Sequence, residues 1–198
     1  MLSPNALRYV VLALGMSVSA ATAQDRPIRV AVTVAGTPQA AWSLWTTDEG
    51  VRSFFAPGSH IDLRVDGAYE IFFMPSAPPG RRGADDMRLL AVEPHRRLAF
   101  TWNAPETLPQ ARAQRTVVTV HFTPVGDDST MVTLRHTGWG DGPVWDEAIG
   151  YFESAWNGFV MAAFKHRVAH GPIDWSRPPT LEPVQSNAIE HLVPRASQ

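Results

Sequence analysis

The stretch Pro143-Val144-Trp145-Asp146-Glu147-Ala148-Ile149-Gly150-Tyr151-Phe152-Glu153-Ser154-Ala155-Trp156-Asn157-Gly158-Phe159-Val160-Met161-Ala162-Ala163-Phe164 decides the architecture. Trp145, Ile149, Phe152, Trp156, Phe159 and Ala163 recur at intervals of three and four, which places them on one face of an α-helix. Asp141 is the expected cap and Pro143 the first helical residue, with Asp146 and Glu147 where the helix dipole favours anions. Lys165, His166, Arg167 and His170 crowd the last turn, and Gly171-Pro172 ends it. About 25 residues span roughly 37 Å, long enough to cross a whole sheet.

Such a helix needs an apolar layer to bury against, and the sequence upstream supplies one. Ile28, Val30, Val32 and Val34 alternate with Arg29, Ala31 and Thr33 as a half-buried strand. Thr37 before Pro38, and Thr47 before Asp48 and Glu49, mark the starts of two short helices, the second ending near Phe54 and Phe55 before Pro57-Gly58. From Ile61 to Thr137 the pattern is extended. Ile61 to Val65 and Tyr69 to Phe73 form a hairpin about Asp66-Gly67. Met87 to Val92 pairs with Leu98 to Trp102, and Thr116 to Phe122 with Met131 to His136. Pro75 to Asp85 and Asn103 to Ala113 read as long loops. The expectation is an α+β fold: a curved antiparallel seven-stranded sheet wrapped around a long C-terminal helix, with two short helices after the first strand.

The ends are of a different character. Residues 1–23 join Arg8, the apolar run Tyr9 to Met16 and a small-residue finish, Ala21-Thr22-Ala23. That is the pattern of a secretory signal peptide cut after Ala23, and the run is too short for a stable membrane span. The expected location is therefore periplasmic or secreted. The domain would cover 24–171. Residues 172–198 form a Pro-rich tail, with Pro172, Pro178, Pro179, Pro183 and Pro194, expected to be loose or to lie along the domain.

With 198 residues, 44% hydrophobic and 18% charged, the chain is long enough for one well-buried domain. Its 17 Lys and Arg against 19 Asp and Glu offer no basic field for nucleic acid. The absence of Cys removes disulfides, thiolate nucleophiles and Cys-based metal sites. No Ser-His-Asp order, P-loop or dinucleotide fingerprint occurs, so no cofactor is expected and an enzymatic role has no motif behind it. His166 and His170 have a zinc-compatible spacing without a third ligand, and read as cations at a helix C-terminus. Arg81, Arg82, Asp85 and Asp86 form a loop that is either a lid or, the reading preferred here, a solvated turn. Glu70 lies on the face opposite Tyr69 and Ile71. His136 shares the parity of Val132 and Leu134 and should point inward, as a hydrogen-bonded core residue or as the polar anchor, acid or base of a ligand site. His121 shares the parity of Thr119 and Thr123.

The element order, together with Ala41-Trp42-Ser43-Leu44-Trp45, Ile61-Asp62-Leu63-Arg64-Val65-Asp66-Gly67, Val92-Glu93-Pro94, Leu98-Ala99-Phe100-Thr101-Trp102, Val118-Thr119-Val120-His121-Phe122 and Thr130 to Gly138, resembles the SRPBCC (START-like, helix-grip) superfamily. More narrowly it is similar to the branch of the activator of Hsp90 ATPase homologue 1-like C-terminal domain, over about Ile28 to Gly171. Asp66-Gly67 stands where members often have Gly-Gly, and Ala155-Trp156 where they often have Gly-Trp. The resemblance implies a cavity between sheet and helix. Members bind hydrophobic small molecules or lipids, some catalyse cyclisation or dehydration of the ligand, and some regulate a chaperone. The expected ligand-binding residues are Trp45, Phe55, Phe73, Phe100, Trp102, Val120, Leu134, His136, Trp139, Phe152, Trp156 and Phe159. Ordinary core packing is the competing role for each ring. The expected partner is a hydrophobic or aromatic small molecule, with a cyclase- or dehydratase-like activity and a chaperone-interacting module as alternatives.

Overall fold

A computed structural model describes residues 26–184. The expected signal segment and the end of the tail, 185–198, lie outside the described residues.

The first strand, β1 (Ile28–Ala35), buries Ile28, Val30, Val32 and Val34, exposes Arg29 and Thr33 and leaves Ala31 half-buried. Helices α1 (Pro38–Thr46) and α2 (Asp48–Arg52) follow, started by Thr37 Oγ1 accepting from the Ala40 N–H at 3.3 Å and Thr47 Oγ1 accepting from the Gly50 N–H at 3.0 Å. Strands β2 (Gly58–Ile61), β3 (Tyr69–Phe72) and β4 (Gly83–Ala84) make a three-stranded sheet. Strands β5 (Leu89–Glu93), β6 (Arg97–Trp102), β7 (Thr116–Val125) and β8 (Ser129–Thr137) join β1 in a five-stranded antiparallel sheet of order β1-β8-β7-β6-β5, with a helical turn α3 (Pro109–Arg112) before β7.

This corrects the expectation of one seven-stranded sheet. Only Gly58–Ile61 pairs with β3 as strand; one further bond, the Asp62 N–H to Ala68 O at 2.9 Å, follows before the chain leaves the ladder. The Asp66 N–H donates to Leu89 O at 2.8 Å and the Leu89 N–H to Gly67 O at 2.9 Å, so the loop is tied to β5 rather than continuing the hairpin. Leu63 and Val65, which alternate like strand residues, are exposed. The segment expected as a loop over 75–85 contains β4, and that over 103–113 contains α3.

The long helix runs 28 residues as α4 (Pro143–Ala155), a π-helical turn (Trp156–Val160) and α5 (Met161–His170). Its N-cap is Gly142 at φ 95°, with no side-chain cap, so Asp141 does not play the expected part; Pro143 opens the helix and Asp146 pairs instead with Arg26 at 2.5 Å. In the π turn the Met161 N–H reaches back five residues to Trp156 O. The extra residue rotates the buried stripe: Val160, Met161 and Phe164 turn inward, and Phe159 is half-buried on the flank.

Where α1, α2 and α5 meet the sheet, rings fill the space. Trp45 contacts Phe54, Phe55 and Phe164 with centroids 5.3, 5.6 and 5.8 Å apart. The Tyr69 hydroxyl donates to Trp45 O at 2.9 Å, and burial pushes that phenol far above the ordinary tyrosine range. Burying each such ring stabilises the fold by roughly 1.5–3 kcal/mol. The described part of the tail lies along the domain: the Ile173 N–H donates to Ser53 O, Trp175 Nε1–H to Arg52 O at 2.6 Å, and the Val184 N–H to Asn157 O in the π turn. Among the described residues no helix is long and apolar enough to cross a membrane.

Candidate functional site

At the other half of the long helix the rings do not close the space. A cavity of about 590 Å³ lies between the helix flank, the end of β3 with β4, and the segment leading from β6 into α3. The helix contributes two neighbouring ridges, Tyr151, Ala155 and Phe159 beside Phe152, Trp156 and Val160, each spaced by four residues. Trp102 at the end of β6 faces Trp156 with centroids 5.6 Å apart, and Phe152 stacks on Trp156 at 19° between planes. Phe73, Met74 and Ala84 form the facing wall. Phe55 stands behind Trp102 and Trp156, at 5.8 and 6.1 Å.

Trp156 is held by a buried polar chain. Its Nε1–H donates to His136 Nδ1 at 2.9 Å, which leaves the proton of the neutral imidazole on Nε2, aimed at Thr116 Oγ1 at 2.7 Å. Thr116 in turn donates to Trp102 O at 3.3 Å. Both walls of the cavity are therefore linked through one histidine. His136 is wholly buried on β8 against Trp139 and Phe152, at 4.1 and 4.7 Å, and burial holds its pKa well below the ordinary histidine range. His121, on the opposite face of β7, points outward.

The mouth is polar and braced. Asp85, nearly buried, accepts from the Arg82 side chain at 2.6 Å and from the backbone N–H groups of Gly80, Arg82 and Gly83 at 3.0, 2.8 and 3.2 Å. Burial alone would raise the pKa of its carboxyl; Arg82 and these N–H groups outweigh it and hold it low. Segment 80–85 is thus a built loop rather than a solvated turn. Arg112 ties it to the other side, donating to Ala104 O, Gly80 O and Gly83 O at 2.5, 3.1 and 3.1 Å. With its amide oxygen turned to the guanidinium, Asn103 accepts from Arg112 at 3.0 and 3.2 Å. Across the mouth Arg81 grips Glu106 by Nε and Nη2 at 3.1 Å, which keeps the Glu106 carboxyl below its usual range.

Of the residues expected at a ligand site, Phe73, Trp102, Phe152, Trp156 and Phe159 line the cavity. Trp45, Phe55, Phe100, Val120, Leu134, His136 and Trp139 do not; they pack around it or within the core. Among the residues missed are Met74, Ala84, Tyr151, Ala155 and Val160 on the walls, and Arg81, Asn103, Glu106 and Arg112 at the mouth. Tyr151 and Ala155 carry a readable signal, lying eight and four residues before Phe159 on one ridge; the loop residues carry none. His166 and His170 stack at 4.7 Å on α5, and among the described residues no three metal-ligating side chains converge.

The family model described as Activator of Hsp90 ATPase homolog 1-like protein matches residues 35–168, from the end of β1 to within α5. The chain belongs to this family. Solved structures share the fold. A protein from Mesorhizobium loti is 25% identical, with 66% of this chain and 88% of that one covered and a TM-score of 0.53. The Aha1 dimer from Colwellia psychrerythraea is 14% identical, with 73% and 97% covered and a TM-score of 0.56. An Hsp90 activator from Plasmodium falciparum is 15% identical, with 74% and 96% covered and a TM-score of 0.54. No curated protein matches the sequence.

Proposed function

We propose that this AHSA1-like chain is an exported protein that binds an apolar or aromatic small molecule between the long helix and the sheet. The observation that carries the reading is the cavity itself: about 590 Å³, the size of small-molecule sites, walled by Trp102, Phe152, Trp156 and Phe73, with its charged side chains, Arg81, Glu106 and Arg112, on the loop segments. Burying a flat guest against these rings gains about 25 cal/mol per Å² of apolar surface. Export rests on the sequence of residues 1–23 alone.

Native mass spectrometry of the protein expressed with its leader and purified from the periplasm tests both parts. The expected result is a chain starting at Gln24 with a non-covalent adduct that Ala155→Phe, which places a ring in the cavity, abolishes. Recovery of the chain from the cytoplasm alone refutes export, and a periplasmic chain that starts at Met1 refutes cleavage after Ala23. A chain that carries no adduct and leaves the fluorescence of neutral phenylnaphthylamine unchanged refutes ligand binding.

The family description favours a second reading, a chaperone-interacting module. It requires a partner in the compartment the chain occupies, and a periplasmic pull-down that returns a chaperone would replace the first reading with it. For the cyclase- or dehydratase-like alternative, His136 is badly placed as acid or base: both ring nitrogens are engaged and Trp156 stands between it and the cavity.

A further inference from the structure

The cavity-lining residues that carry charge are Arg81, Arg112 and Glu106, so two cations face one carboxylate at an otherwise apolar site. Arg82 is not part of this balance, because Asp85 at 2.6 Å and Glu70 at 3.9 Å neutralise it behind the loop, and neither carboxylate lines the cavity. Arg112 is in no ion pair among the described residues; its N–H groups are spent on carbonyl oxygens, so its charge is oriented by dipoles and remains as a positive field. Arg81 gives Nε and Nη2 to Glu106 and, among the described residues, keeps Nη1 without a protein acceptor. Both Arg81 and Glu106 are partly exposed, at 68% and 40% of their side-chain surface, on loops reached from outside.

Resting on the small-molecule reading above, we infer that the guest is an anionic amphiphile. Its aromatic or hydrocarbon body lies against Trp102, Phe152 and Trp156, and its carboxylate, sulfonate or similar head sits at the mouth on Arg81. A planar guanidinium suits such a head because its fork matches two acceptor oxygens. Glu106 is then a place-holder: an intramolecular carboxylate that keeps Arg81 oriented when the site is empty and competes with the incoming head. Nη1 offers the first contact, and exchange of Glu106 for the ligand head completes the fork. The rim also explains the polarity of the site, with rings at one end and cations at the other fixing which way a guest enters.

The test uses two fluorescent probes with one skeleton, anilinonaphthalene sulfonate and its neutral parent phenylnaphthylamine, titrated into the full mature protein at low and high salt. The wild type is expected to bind the sulfonate more tightly than the parent, each probe displacing the other, with salt weakening only the sulfonate. Arg81→Gln should lower sulfonate affinity by roughly threefold to tenfold and leave the neutral probe unchanged, the modest factor reflecting an exposed cation. Glu106→Gln, which removes the competitor, should raise sulfonate affinity by roughly threefold. If the neutral probe binds but the sulfonate is no tighter, or if the two do not compete, or if Arg81→Gln leaves their ratio unchanged, the anionic assignment falls while the apolar cavity stands. If neither probe binds, both readings fall together.

Discussion

Replacing His136 by Gln separates two consequences of its burial. A Gln side chain can accept from Trp156 Nε1–H through its oxygen and donate to Thr116 through its nitrogen, so the polar chain at 2.9 and 2.7 Å survives. What is lost at neutral pH is ring contact with Trp139 and Phe152, at a cost of about 1–2 kcal/mol. What is gained is freedom from protons. Burial keeps native His136 neutral well below its ordinary pKa of 6.5, whereas the unfolded chain protonates near that value. Its contribution to stability is therefore complete above about pH 6.5 and declines as pH falls, by up to about 1.4 kcal/mol at pH 5.5. His121, lowered by partial burial and by Arg97, adds a loss of the same sign, but in both proteins alike. Glu70, Asp85 and Glu106 have depressed carboxyl pKa values whose stabilisation is lost only near and below pH 4, outside this window. Urea unfolding followed by tryptophan fluorescence at pH 7.5 and 5.5 should show the wild type losing up to about 1.4 kcal/mol more than the variant between the two conditions. Equal losses would refute the assignment of His136 as a neutral buried link.

Trp156→Phe keeps a ring in the wall but removes the donor to His136 Nδ1. An unsatisfied buried acceptor costs about 1–3 kcal/mol, measurable as a lower urea midpoint, and an unchanged midpoint would count against the linkage. Asp85→Asn removes the charge that gathers three backbone N–H groups and Arg82, so amide exchange at Gly80, Arg82 and Gly83 should accelerate by roughly tenfold or more while that in β7 and β8 does not change. Gly67→Ala would set a Cβ 2.0 Å from Asp62 O, a backbone atom that cannot swing aside, and should cost roughly 2–4 kcal/mol in thermal unfolding. A melting point within a degree of wild type would show that the loop yields.

The parts of the fold legible in the sequence are those whose period is set by one buried face. β1, β7 and β8 alternate because the sheet has a filled side and a wet side, and their inward residues are the ones the alternation names. The same rule misreads Leu63 and Val65, which alternate without a partner strand because backbone bonds to β5 win the chain after Ile61. Spacing by three and four announces the long helix but not its π turn, since one added residue changes which side chains are buried without changing their composition. Inward direction is legible in the same alternation, but direction is not vacancy. Val120 and Leu134 face each other across β7 and β8 in mid-sheet, where neighbours fill the volume, whereas Trp102 and Trp156 face loops. The mouth residues Asn103, Glu106 and Arg112 lie in segments without periodicity, and only the folded chain brings them together.

Why the space remains open at one end follows from what closes each end. Beneath α5 the lid is apolar: Trp45 of α1, Phe54 of the turn after α2 and Phe164 of α5 converge and leave no room. Beneath the second half of α4 the enclosure is made by segments 80–85 and 103–112, the second carrying the short helix α3; Ala84, Ala104, Leu108 and Ala111 anchor them in the core, while the edge that borders the cavity is held by the Asp85 and Arg112 side chains on backbone N–H groups and carbonyls. A wall braced by polar bonds does not collapse to fill a void as a packed ring would. The consequence can be checked at Ala155, which borders the cavity from the helix. In a filled core, enlarging a side chain costs about 1–3 kcal/mol through displaced neighbours. Ala155→Phe should instead change unfolding free energy by less than about 0.5 kcal/mol, because its ring enters open space, while probe binding is lost. A destabilisation of the size expected for overpacking would mean that the loops have no such independence and that the cavity closes around whatever lines it.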